Sequence, residues 1–190
     1  MKYETFNPKI HDLFEVAKLT YDVDFRTFDL FFKNQESAVN AIAEDLPKRE
    51  LGDYFKVILD DDSQIIGILM VYDSKMHHRF YFKSPRLVMV DILDRFVLAD
   101  IEEGDLYLAE VAIDSRLRGQ GIGKKVICDV IGYAKSKNYS RVILDVDFRN
   151  AKAKALYEKL GFKEFNKKRV KFLNFERGMI NMEFVLKVNG

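Results

Sequence analysis

Residues 106–123 read LYLAEVAIDSRLRGQGIG, and the order of residue types along this stretch decides the fold. An apolar strand runs into a basic turn, and glycines then open a helix. The centre of the turn is Arg118-Gly119-Gln120-Gly121-Ile122-Gly123, an R-x-x-G-x-G pattern. A helix N-terminus leaves about four backbone N–H groups without partners and carries roughly half a positive charge. Glycines let the main chain approach an anion closely and let successive N–H groups converge. Arg118 adds a charge-assisted donor. The turn is therefore suited to a pyrophosphate. It is not a Walker loop, because Gly123-Lys124 is followed by Lys125 and position 118 is not glycine. Nor is it a dinucleotide fingerprint, because the third glycine, counted from Gly119, would fall on Lys124.

Working outward, Arg141–Asp147 is a β-branched run with the pattern of a buried strand. Asn150, the helical stretch AKAKALYEKL and Gly161-Phe162 follow it. This ordered set resembles the GCN5-related N-acetyltransferase (GNAT) superfamily, most sharply over residues 105–165. The resemblance implies an α/β (α+β) fold: a central mixed, mostly antiparallel twisted sheet of about seven strands, flanked by helices. It also implies acetyl-CoA as acetyl donor and a primary amine as acceptor. In that family the pantetheine arm lies along strand four, here by way of Val111 and Ile113, and the pyrophosphate rests on residues 118–124. The binding set is thus Val111, Ile113, Arg118, Gly119, Gln120, Gly121, Ile122, Gly123 and Lys124, with Asn150 as a further contact.

An alkylamine has an unperturbed pKa of ~10.4 and attacks only when neutral, so a base must take its proton. Two carboxylates compete for that role. Glu110 precedes Val111 in strand four, a common position in the family for a base or for a residue holding a water. Asp145 lies in strand five, where N-terminal protein acetyltransferases of the family carry a Glu one methylene longer. Glu110 is preferred. Tyr157 occupies the position at which the family keeps a tyrosine near the CoA sulfur, and is the acid for the departing thiolate. Each has a plainer reading: ion-paired carboxylates, a packed aromatic, and for Asn150 a helix N-cap. A CoA-binding module without turnover, serving as a sensor or assembly partner, is the alternative function.

The 190 residues suffice for one domain with a full core, and 48% hydrophobic with 32% charged residues excludes disorder. A net charge of +1 gives no general attraction to nucleic acid or anionic membranes. Cys128 is the only cysteine, which rules out an internal disulfide; within a helix it is expected to be a small packed thiol. No Cys/His spacing indicates a metal. The N-terminus lacks a signal-peptide core and no apolar run approaches 18 residues, so the expected setting is cytoplasmic.

Tyr3–Phe6 reads as a first strand, and Asn7-Pro8 as a helix start leading through about residue 20. Phenylalanines at 25, 28, 31 and 32 predict one helical stretch over about 24–45. Residues 54–59 and 65–72 read as strands around the solvated turn Asp60–Ser63. Residues 74–105 form an unusually long connection between strands three and four. Its apolar pattern at 87–97 predicts a helix, and the connection is expected to shape the acceptor site or a homodimer contact. His77-His78 within it read as surface residues. The basic run 166–171 reads as a solvated strand face rather than a nucleic-acid site. No repeat or linker divides the chain, so residues 1–190 are expected to form a single domain.

Overall fold

The computed structural model describes residues 1–49, 51–76, 82–172 and 175–186. Seven strands lie in one sheet: β1 (Lys2–Thr5), β2 (Phe55–Leu59), β3 (Ile65–Asp73), β4 (Asp105–Ile113), β5 (Arg141–Asp147), β6 (Lys163–Phe172) and β7 (Phe175–Val185). Their order is β1-β2-β3-β4-β5-β7-β6. Pairs β1/β2, β2/β3, β5/β7 and β6/β7 are antiparallel, whereas β4/β5 is parallel. The β4/β5 ladder runs from Asp105↔Arg141 to Leu108↔Leu144, although β4 continues to Ile113 and β5 to Asp147. The helices are α1 (Leu13–Val23), α2 (Phe25–Phe31), α3 (Gln35–Asp45), α4 (Pro85–Asp94), α5 (Ile122–Ser136) and α6 (Ala151–Leu160). A mixed, mostly antiparallel sheet of seven strands with flanking helices is thus the observed architecture.

By contacts the chain forms two compact units. The first comprises residues 1–70, 78–92 and 110–123; the second comprises 71–77, 93–109 and 124–190. In the first, Val16, Ala17, Ile42, Phe55, Ile68 and Leu87 are buried. The phenylalanine-rich segment contributes an aromatic cluster, in which Tyr21 stacks on Phe28 and Phe28 meets Phe82 edge to face. In the second, the apolar face of α5 (Val126, Ile127, Val130, Ala134) and the β-branched run of β5 are buried.

Local details differ from the periodicity reading at three places. Helix α1 starts at Leu13 rather than at Asn7-Pro8, because the Asp12 carboxylate accepts from the N–H groups of Phe14 and Glu15. Asn7 instead closes one isolated turn, its carbonyl accepting from Ile10 and His11. The stretch 24–45 is two helices, not one. Asn34 is extended (φ −160°), and its side chain forms a capping box with Ser37 that restarts the helix. Cys128 is exposed on α5, not packed.

Helix α4 lies in the predicted place, ending at Asp94. His77-His78 fall outside the described residues. The 166–171 run is in β6 and mostly exposed.

Candidate active site

In the first unit, β4 leads through Asp114, which caps the short turn Ser115–Leu117 and accepts from the Arg116 N–H. The chain then reaches the glycine turn. Gly119 and Gly121 have φ of +84° and +81°, a backbone region that favours glycine. A Cβ at either would meet no atom within 4 Å, so conformation and open space, not packing, set the residue type. Gln120 is exposed, Ile122 and Gly123 are half-buried at the start of α5, and Lys124 follows them, exposed. Arg118 is exposed and lies 3.4 Å from Asp22. Val111 and Ile113 are half-buried and share one face of β4. These residues fit a phosphate group: an open cradle, a helix start and an exposed guanidinium paired at its edge with Asp22.

Glu110 alternates with Val111 in β4. Its Oε2 is shut off from solvent and has no hydrogen-bond partner among the described residues. Burial pushes its carboxyl above the usual range; the charge of Arg49 opposes that shift and Asp24 adds to it.

The same unit holds a second buried group that sequence reasoning missed. Arg49 donates from Nε to Asp45 at 3.3 Å, and its side chain is 2% exposed. The i, i+4 spacing of Asp45 and Arg49 was the only signal, and it resembles an ordinary surface pair. An open groove of about 630 Å³ lies between α3 and the start of α4, with Phe32, Asn40, Glu44 and Arg86 among its lining residues.

In the second unit, Asp145 is engaged at both carboxylate oxygens. Oδ2 accepts from Tyr107 Oη at 2.6 Å and from the Ala99 N–H at 3.0 Å, while Oδ1 accepts from Asn181 Nδ2. Burial raises its pKa despite these donors. Neither Tyr107 nor Asn181 stands out in the sequence, because both sit in strand patterns that read as core.

Asn150 is the N-cap of α6: its side chain accepts from the Ala153 N–H at 3.1 Å. Tyr157, on α6, is 8% exposed, with its ring 5.8 Å from that of Phe162. Burial pushes its phenol up to about 12. Among the described residues no group of three or more His, Cys, Asp or Glu is placed to hold a metal ion. No helix among them is long and apolar enough to cross a membrane.

Comparison with known proteins follows the same line. A family model described as Acetyltransferase (GNAT) family matches residues 20–162. Human N-acetyltransferase 8 is 39% identical over 121 residues, covering 63% of this chain and 52% of that protein. N-alpha-acetyltransferase 30 of Schizosaccharomyces pombe is 28% identical over 112 residues, covering 54% of this chain and 75% of that protein. An N-acetyltransferase structure from Staphylococcus aureus Mu50 superposes with a TM-score of 0.66 at 17% identity, covering 97% of this chain and all of that one. The chain spans about half or less of the length of the first curated relatives it matches.

Proposed function

Since the chain belongs to the acetyltransferase (GNAT) family, we propose that it is an acetyl-CoA-dependent N-acetyltransferase acting on a primary amine by direct attack. The carrying observation is the open glycine turn at 118–123, with positive φ at Gly119 and Gly121 directly ahead of α5. Acetyl-CoA supplies a thioester that makes the acetyl carbonyl electrophilic. Backbone N–H groups of the turn and the Arg118 guanidinium hold its pyrophosphate, with Arg118 exchanging or sharing its exposed Asp22 contact. Lys124 adds charge beside the turn, and main-chain groups of Val111 and Ile113 pair with the pantetheine arm. An N–H near Val111 polarises the carbonyl, an effect worth ~3 kcal/mol per donor in other enzymes.

Glu110 accepts the amine proton, directly or through water. A carboxyl pushed above its ordinary range by burial is nearer the pKa a base needs at neutral pH. Asp145 has a holding role instead, since Tyr107, Ala99 and Asn181 already occupy its oxygens. Tyr157 keeps its proton throughout the neutral range and gives it to the departing sulfur. Asn150 fixes the start of α6, which carries Tyr157. The connection 74–105 helps form the acceptor side, because its residues Ser84–Leu87 line the groove beside α3.

The test is an acceptor screen by free-thiol release, with product mass identifying the acetylated amine. One matched relative is named an N-alpha-acetyltransferase, so α-amines come first, followed by lysine side chains, polyamines and other small amines. CoA binding with no turnover against any class would make the chain a binding module.

A further inference from the structure

Gly67 lies buried in β3, with Ile58 of β2 opposite it and β4 on the strand's other side. Against β4 the approach is very close. A Cβ added to Gly67 would lie 2.5 Å from the Ala112 carbonyl oxygen and 2.9 Å from Ile113 Cδ1, with Ile58 Cδ1 at 3.2 Å. The first of these is main chain, which cannot turn aside as a side chain can. The φ of Gly67 is not positive, so space alone sets the residue type, the reverse of Gly119 and Gly121. A glycine inside a strand gives up packing and costs entropy, and it marks the close approach of another backbone. Past Ala112 the two strands are tied again, where the Asp114 N–H donates to the Ile66 carbonyl at 2.9 Å. All of these residues belong to the first unit.

Main-chain groups of successive strand residues point to opposite edges. The Ala112 carbonyl and the Asp114 N–H face β3, so the polar groups of Val111 and Ile113 face the edge away from it. We propose that Gly67 is a positioning residue for the cofactor: by letting β3 and β4 close to backbone contact, it sets the course of residues 111–113. The assignment rests on the reading of that outer edge of β4 as the place of the pantetheine arm. A side chain at position 67 displaces Ala112 and so shifts the donors and acceptors on either side of it. Hydrogen bonds weaken steeply when bent or stretched. The glycine turn at 118–123 lies beyond the separate turn Ser115–Leu117 and keeps its own geometry. The loss therefore falls on the arm and not on the pyrophosphate.

The experiment is calorimetry with two probes: CoA, and 3′-phospho-ADP, which keeps the pyrophosphate and lacks the arm. Gly67→Ala is expected to bind CoA about 10-fold more weakly and 3′-phospho-ADP as wild type does. A glycine that serves only the fold would leave both affinities of the folded protein unchanged or lower them together. Asp114→Pro reaches the same contact from β4. The φ of Asp114, −46°, lies near the value proline imposes, and the substitution deletes the N–H that donates to Ile66. Its reference is Asp114→Ala, which loses the carboxylate but keeps that N–H. Asp114→Pro should show the same selective loss for CoA, whether or not Gly67→Ala folds. An unchanged CoA affinity, or an equal loss for both probes, in whichever variant folds overturns the proposal. Failure of both variants to fold overturns it as well, since the contact then serves the fold alone. If instead the arm reading is at fault, wild type binds CoA no better than 3′-phospho-ADP.

Discussion

At the scale of single residues, two side chains that looked alike in sequence have separated. Glu110 and Asp145 are both strand carboxylates, yet one has an unpartnered oxygen and the other has donors on both. In Asp145→Asn, an amide NH2 replaces an oxygen that accepts, so a donor is left facing a donor. Such a buried mismatch costs about 2 kcal/mol, roughly a 4–8 °C fall in Tm for a chain of this size. Thermal denaturation measures it; full stability with lost turnover would return Asp145 to the catalytic set. Tyr157→Phe removes only a hydroxyl. Because the phenol is buried and its proton is held up to about 12, the expected result is unchanged CoA affinity by calorimetry, with kcat lower by about 10²-fold. An unaltered kcat would leave Tyr157 as a packed aromatic. The family resemblance pointed to Tyr157 and Glu110, but nothing in the sequence pointed to Tyr107 or Asn181, and only an ordinary-looking i, i+4 pair pointed to Arg49. Tyr107 and Asn181 act on Asp145 from 38 and 36 residues away, beyond any local window, and the i, i+4 pair of Arg49 with Asp45 gives no sign that it is buried.

At the scale of elements, local rules succeeded wherever periodicity and caps agreed. Strand β5, helix α5 and the glycine turn lie where the pattern put them. The misread at 24–45 arose because phenylalanine spacing suggested continuity, while the Asn34/Ser37 capping box restarts the helix. Cys128 illustrates a finer limit. It lies two residues after Val126, about 200° around the helix axis, which points it away from the buried face. The turn before the phosphate cradle makes a prediction of its own. The Arg116 side chain and backbone N–H hold Asp114 down at about 2. A carboxyl depressed in the folded state adds stability above its unfolded pKa, near 3.8, and loses it as pH falls through the folded value. The Tm gap between wild type and Asp114→Asn should therefore be present at neutral pH and close between about pH 4 and about pH 2. A gap constant across that window would mean that the Arg116 contact adds nothing to stability. In the cradle itself, Gly121→Ala must adopt a φ of +81°, so CoA affinity measured by calorimetry should fall, while α5 remains folded.

At the scale of the whole molecule, the family match over residues 20–162 covers the long connection between β3 and β4, and that connection is no loose appendage. The sequence showed its helix but not its attachments, which are made to residues distant in sequence. In the first unit, Leu87 and Val90 of α4 are buried, and the Phe82 N–H donates to Asp91. In the second, Val97 is fully buried, the Ala99 N–H donates to Asp145, and the Leu98 carbonyl and Asp100 receive Lys168. Arg177, 4% exposed, is paired with Asp94. Excision of residues 85–100 in favour of a short turn would remove these apolar groups and strip a donor from Asp145 and a counter-charge from the buried Arg177. Losing one partner of a buried pair costs about 3–5 kcal/mol, a large part of the 5–15 kcal/mol that holds a typical domain. The excised protein should therefore lose its cooperative thermal transition by circular dichroism and calorimetry. Substituting only Phe96, which is 63% exposed, by Ser should leave Tm within about 2 °C of wild type. A cooperative melt in the excised chain would make the connection dispensable for folding and restore the view of it as a detachable acceptor-side addition.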